Sequence, residues 1–285
     1  MRLAKLHATG NDFLVTTDEV DTALAIALCD RHRGIGADGI ITLGPGGDGA
    51  DCAMTLRNAD GGIAEITGNG ARCLAWAAVR KGYGTHEQLV VDTDAGRRTI
   101  ELERAGGELV AATVDMGPVT FEPDEIPFTG DSPFDLEATY HGVTYTGDAA
   151  GIGNPHLVLF VEDPAAARVT QHGPHLERDE RFPHGTNVEF VAVQAPDELV
   201  MRVWERGVGE TLSCGTGACA AAAVAYRRGL VGERVAVHVT GGILDVALGD
   251  TVRLGGPVRH VFDVEVEPDD LSERSGPERR AGERP

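Results

Sequence analysis

Thr67-Gly68-Asn69-Gly70-Ala71 and Cys214-Gly215-Thr216-Gly217-Ala218 are two copies of one short pattern, 147 residues apart. In each, a hydroxyl or thiol residue precedes Gly-x-Gly-Ala, and an Ala-rich run follows at 72–79 and 219–225. A strand-like segment lies upstream at the same offset, 54–58 in the first copy and 201–205 in the second. The pattern predicts a strand, a turn and then a helix whose first backbone N–H groups are open to a ligand. Glycine there lets an anion approach the backbone, and the helix dipole favours negative charge. Two such helix starts facing each other can grip one carboxylate and place a side chain on each side of the neighbouring carbon.

The rest of the chain repeats this style. Candidate strands fall at 3–7, 13–16, 39–43, 53–58, 89–93, 98–103 and 110–116, then at 156–161, 188–193, 199–205, 234–239, 243–248 and 252–254. They are rich in β-branched residues and bounded by Gly, Asp or Pro. Helices are expected at 21–29, 70–81 and 217–228, the last two ending in a basic residue followed by Gly82 or Gly229. The Gly10-Asn11 turn recurs as Gly153-Asn154, so each half reads Gly-Asn turn, strands, then capped helix. This order is what a duplicated α+β unit gives. Pro, Gly and acidic residues at 117–133 mark the junction. The expected domains are 1–116, joined by a returning 262–267, and 117–261, with a disordered tail at 268–285.

Composition narrows the function classes. The 285 residues carry a net charge of −20, which disfavours nucleic acid and anionic membrane as partners. No run approaches the length of a membrane span, and residues 1–10 do not resemble a signal peptide, so the cytoplasm is expected. Only Lys5 and Lys81 could form a Schiff base, and neither has a phosphate-binding context, which argues against pyridoxal chemistry. The five cysteines include no CxxC and read as reduced thiols. His172, His175 and His184 lack further metal-ligand spacing, so no metal and no cofactor is expected.

Cys214 is the leading catalytic candidate. At a helix N-terminus, the dipole and free N–H groups would lower its pKa towards the thiolate. The alternative is a small buried residue, but two glycines beside it favour function. Upstream, Glu205 could hold an ammonium and Arg206 could clamp a carboxylate, unless they form a surface ion pair. Asn11, Asn58, Asn154 and Asn187 sit in or beside turns and suggest neutral hydrogen bonding to a zwitterion. Gly-rich stretches at 44–49 and 34–39 lack the context of phosphate or dinucleotide loops.

Taken together, Gly10-Asn11-Asp12-Phe13, Gly34-Ile35-Gly36-Ala37-Asp38-Gly39, Asn58-Ala59-Asp60-Gly61, Gly68-Asn69-Gly70-Ala71-Arg72, Gly153-Asn154-Pro155-His156, Thr186-Asn187-Val188-Glu189-Phe190, Glu205-Arg206-Gly207 and Cys214-Gly215-Thr216-Gly217-Ala218 resemble the diaminopimelate epimerase family. The resemblance implies an α+β fold of two pseudo-symmetric domains, each a mixed barrel-like sheet around a central helix, with the site between them. It implies pyridoxal-independent epimerisation of LL- to meso-diaminopimelate, without cofactor, and a homodimer. By the same resemblance Cys214 is one acid/base residue, and Gly68, Asn69, Gly215 and Thr216 cradle the reacting carboxylate. Glu205 and Asn11 meet the reacting amino group, while Asn58, Asn154, Asn187 and Arg206 hold the distant end. One position departs: Thr67 stands where the family pattern has its second cysteine. A Thr hydroxyl is a far weaker acid than a thiol, which leaves a related isomerase, racemase or dehydratase as the alternative. Cys73 does not substitute, since it lies roughly 9 Å further along the helix.

Overall fold

The computed structural model describes residues 1–64 and 67–267; the expected tail at 268–285 lies outside them. The first half contains β1 (Arg2–Ala8), β2 (Asn11–Thr16), α1 (Thr22–Cys29), β3 (Gly39–Pro45), β4 (Cys52–Asn58), β5 (Ile63–Ala64), α2 (Gly68–Arg80), β6 (Gln88–Thr93), β7 (Gly96–Ala105) and β8 (Glu108–Asp115). Then follow β9 (Leu136–Tyr140), β10 (Val143–Gly151), β11 (Pro155–Phe160), α3 (Val169–Leu176), β12 (Asn187–Ala195), β13 (Glu198–Glu205) and β14 (Gly209–Thr211). The chain ends with α4 (Gly215–Arg227), β15 (Arg234–Val239), β16 (Gly242–Ala247), β17 (Arg253–Pro257) and β18 (Arg259–Glu265).

The strands join into one path, β18-β1-β2-β3-β4-β6-β7-β8, then β17-β16-β15-β13-β12-β11-β10-β9. Read inward from either end, the pairings run antiparallel, antiparallel, parallel, antiparallel, parallel, antiparallel, antiparallel. The short β5 and β14 pair beside β4 and β13. Each parallel step requires a crossover, and a helix supplies each one. Helices α1 and α3 cross between β2 and β3 and between β11 and β12. Helices α2 and α4 cross between β4 and β6 and between β13 and β15. β18 returns to pair with β1 along Arg2–His7, so the return begins at Arg259, before the expected 262.

Each central helix is wrapped by its strands. α2 packs on β1, β2, β3, β4, β7 and β8, and α4 packs on β10 through β13, β15 and β16. Their small side chains suit that enclosure: residues 68–78 of α2 are buried all round, as are 217–225 of α4. Both helices share one apolar core, with Leu74 and Trp76 of α2 and Val224 of α4 in the same cluster. No helix among the described residues is long and apolar enough to cross a membrane.

Candidate active site

The two sequence copies meet at the seam between β8 and β17. A Cβ built on Gly215 would lie 3.8 Å from both N and Cα of Gly68 and 2.8 Å from Leu254 Cδ2. A Cβ on Gly68 would come within 2.4 Å of the same Leu254 methyl. Leu254 on β17 therefore underlies both helix starts, and a side chain at either would displace its methyl. Both helices begin two residues earlier than the sequence suggested, because the glycines themselves carry the first turn.

The two capping residues share an extended backbone: φ −133° and ψ 134° at Thr67, φ −117° and ψ 113° at Cys214. Their side chains differ. Cys214 Sγ accepts from the N–H of Gly217 at 3.4 Å and lies 3.5 Å from Thr216 Oγ1. Thr67 makes no side-chain cap bond, and its Cγ2 methyl lies 2.7 Å from where a Cβ on Gly70 would be. The methyl thus occupies the helix-facing position that sulfur takes in the other copy. Thr67 is half-exposed, whereas Cys214 is buried.

Burial reverses the expected ionisation of Cys214. Desolvation pushes the thiol well above its ordinary pKa, and Glu205 and Glu189 add to the rise. The bonds from Thr216 and Gly217 offset only part of this. Burial thus outweighs the helix terminus, which by itself was expected to draw the thiol towards the thiolate. Cys29, Cys52, Cys73 and Cys219 are buried too, each pushed up to about 12 mainly by desolvation. Glu205 is also raised, by burial first, although Thr211 Oγ1 donates to its Oε1.

Most of the predicted residues converge. Asn69 Nδ2 donates to Asn11 Oδ1 at 3.1 Å and to Ser213 O at 3.2 Å. In the other half, Asn154 Nδ2 faces Thr216 Oγ1 at 3.5 Å. Asn187 is buried; its Oδ1 accepts from the Arg206 N–H at 2.9 Å, and its Nδ2 donates to Pro155 O at 3.0 Å. The Arg206 side chain is exposed, and its Nη1 donates to His184 O at 3.5 Å. Asn58 stands apart: it is exposed at the end of β4, and its side chain bonds to none of the others among the described residues.

Four residues that sequence reasoning did not single out stand behind this group. Asp38 receives Asn11 Nδ2 at 2.6 Å, and Arg72 donates to Asn69 Oδ1. His156 bridges Asn154 Oδ1, at 2.9 Å, and the fully buried Glu189, at 2.7 Å. The available signal was a charged residue inside an apolar run: Arg72 between Ala71 and Cys73, Glu189 between Val188 and Phe190. Among the described residues no group of His, Cys, Asp and Glu is arranged to hold a metal. His172 and His175 instead bond to Tyr145 and Tyr140. Lys5 is taken up by Asp12 and Gly36 O.

Comparison with known proteins matches the sequence to one family. The sequence profile described as Diaminopimelate epimerase matches residues 3–122 and 149–259. A diaminopimelate epimerase of Pelotomaculum thermopropionicum is 40% identical over 273 residues, covering 92% of this chain and 97% of its relative. That of Desulfitobacterium hafniense is 39% identical over 275 residues, covering 92% and 96%. Among solved structures, a hydroxyproline epimerase from Agrobacterium vitis superposes with a TM-score of 0.70 at 18% identity, covering 93% of this chain and 90% of that one. At that identity the likeness concerns the fold.

Proposed function

The chain belongs to the diaminopimelate epimerase family, and we propose that Cys214 and the paired helix N-termini carry that family's reaction here. The reaction is epimerisation of LL-diaminopimelate to meso-diaminopimelate, a step serving lysine and cell-wall biosynthesis. The observation that carries the residue assignment is the contact of Gly68 with Gly215, which brings two sets of free N–H groups to one place.

The reacting carboxylate rests on the N–H groups of Gly68, Asn69, Gly215 and Thr216. As the α-proton leaves, negative charge spreads onto that carboxylate, and the two helix termini stabilise it. The substrate ammonium sits against Glu205 and Asn11. This cancels the carboxylate charge that helps hold Cys214 protonated, so substrate binding itself draws the thiol towards the thiolate. Cys214 then exchanges the α-proton on one face. On the opposite face the Thr67 hydroxyl passes a proton to or from water, because it is too weak an acid to serve as the base itself. Asn154, Asn187, Arg206 and Asn58 take the distant amino-acid end.

The mirrored strand path supports a division into two domains. The first comprises 1–116 with the returning β18, and the second comprises 117 to the end of β17. Proton NMR with LL- and meso-diaminopimelate in deuterium oxide tests the chemistry. Deuterium at the α-position with interconversion of isomers is the expected result. Exchange without interconversion would remove Thr67 from its role, and no exchange with either isomer would overturn the reading.

A further inference from the structure

Asn11 and Asn69 form the middle of a four-residue chain whose two ends are charged. At one end Asp38 accepts from Asn11 Nδ2 at 2.6 Å, from Asp12 N at 3.1 Å and from Arg31 Nη2 at 2.6 Å. At the other end Arg72 Nη2 donates to Asn69 Oδ1. A carboxylate can only accept and a guanidinium can only donate. Asn11 must therefore turn its NH2 towards Asp38, leaving Oδ1 towards Asn69 at 3.1 Å. Asn69 must turn Oδ1 towards Arg72, leaving NH2 for Asn11 and for Ser213 O at 3.2 Å. An asparagine amide is otherwise free to flip, since its two ends have nearly the same shape. Here neither can flip without facing donor to donor or acceptor to acceptor.

Arg72 is an expensive way to fix one end. It is fully buried, and its Nε and Nη1 meet no acceptor among the described residues. It forms no ion pair within 4 Å among the described residues, and burial lowers its pKa to about 10. A buried charge without a counter-charge is destabilising unless its hydrogen bonds matter. The fold makes room for it at Gly256, where a Cβ would sit 2.4 Å from Nη1. Ser213 immediately precedes Cys214, so the chain also ties the first turn of α2 to the entry of α4. Thr9 Oγ1 braces the same point, 2.7 Å from Ser213 Oγ.

We propose that Asp38 and Arg72 are positioning residues, which together fix the polarity of the Asn11 and Asn69 amides at the seam between the two helix starts. Resting on the function assigned above, this presents Asn11 Oδ1 to the cleft as an acceptor, fit for an ammonium and unfit for a carboxylate. The relay thereby sets which end of the reacting zwitterion enters which side.

The test uses the full-length protein with 15N-labelled asparagine, with and without diaminopimelate. Asp38 is partly exposed, so Asp38→Ala should fold. In the unliganded protein that substitution is expected to shift the side-chain amide signals of Asn11 and also of Asn69, one bond further on. In turnover it is expected to raise KM about tenfold, the loss of roughly one charge-assisted hydrogen bond, with a smaller change in kcat. Asp38→Asn has the same shape but can donate as well as accept, so it should restore neither readout in full. Arg72→Met should move the same two amide signals from the other end; if it does not fold, the Asp38 pair still decides. An Asn69 amide unmoved by Asp38→Ala, or KM within twofold of the parent, would overturn the proposal. Should the parent protein fail to turn over diaminopimelate, the assigned reaction fails, while the unliganded amide signals still judge the relay.

Discussion

Cys214 is where a helix dipole and burial pull in opposite directions. A helix terminus supplies about 0.3–1 kcal/mol, less than a tenfold change in ionisation. Desolvation of a fully enclosed thiol and two nearby carboxylates outweigh that. Removing the Glu205 charge should therefore lower the Cys214 pKa. Glu205→Gln is expected to speed iodoacetamide labelling of Cys214 at pH 8.5 on the order of tenfold, with the other four thiols unchanged. Peptide mapping by mass spectrometry reads this out, and an equal or slower rate would contradict the electrostatic account. Asp12 offers the converse case. Burial alone would raise it, but bonds from Arg31 and Lys5 hold it at about 2, below its ordinary 3.8. A carboxyl depressed in the folded state stabilises above its unfolded pKa and loses that contribution as pH falls from about 4 to 2. After discounting for its partial exposure, Asp12→Asn should cost on the order of 1–2 kcal/mol at pH 7. The gap between parent and variant in urea midpoints should narrow towards pH 2.5; a gap independent of pH would sink the assignment.

At the scale of elements, the paired helix starts were legible because glycine has few substitutes there. α2 and α4 were readable from Gly-x-Gly-Ala, but their first turns were not, since glycine propensity argues against a helix that tertiary contact then enforces. α3 was missed for a similar reason: Gly173 and Pro174 lie inside it. Gly173 is there because a Cβ would strike Trp204 at 2.6 Å. β10 was missed because it ends in Gly147, Asp148, Ala149, Ala150 and Gly151, poor strand formers. A Cβ on Gly147 would lie 1.8 Å from Val158 O, so close pairing with β11 replaces intrinsic preference. In the site, Cys214, Glu205 and the clustered asparagines were visible as motifs, whereas Asp38 and Glu189 act through Asn11 and His156, far away in sequence, and Arg72 acts through Asn69, one turn back on its own helix. The two helix starts also differ in tolerance. On Gly217 a Cβ would meet Glu189 Oε1 at 2.6 Å and Cys214 Sγ at 3.3 Å, both in packed surroundings. On Gly68 it would meet Leu254 Cδ2 and the Met116 side chain, which can rotate away. Gly217→Ala should thus cost about 1–3 kcal/mol and most of the turnover, and Gly68→Ala distinctly less. Chemical denaturation and kcat on both variants check the order; the reverse order would show that Glu189 yields more readily than Leu254.

The whole molecule has two mirrored strand paths, and its largest apolar cluster spans both, beside a smaller cluster in each half. The paths are continuous through the β8–β17 pairing, from Arg253 with Asp115 to Pro257 with Ala111. α2 and α4 contribute to one apolar cluster, and Leu254 supports both helix starts. The last strand, β18, returns to close the first path against β1, where His260 stacks on Trp76 at 4.5 Å between ring centroids. Unfolding one half would therefore expose the other's helix terminus, strand edge and core face together, which couples the halves energetically. Two independent domains would melt separately, whereas a shared core of this kind should melt as one. The chain has two tryptophans, and they report on different halves: Trp76 on α2 and Trp204 on β13, where its Nε1 donates to Glu177. Trp76→Phe leaves a probe only in the second half, and Trp204→Phe leaves one only in the first. Each single-tryptophan variant should show a urea fluorescence transition whose midpoint coincides with its own transition by far-ultraviolet circular dichroism. A tryptophan transition separated from the circular dichroism transition of the same variant would mean that the seam at β8–β17 transmits little energy. The contact between Gly68 and Gly215 would then be a meeting of two autonomous domains, free to part when substrate is absent.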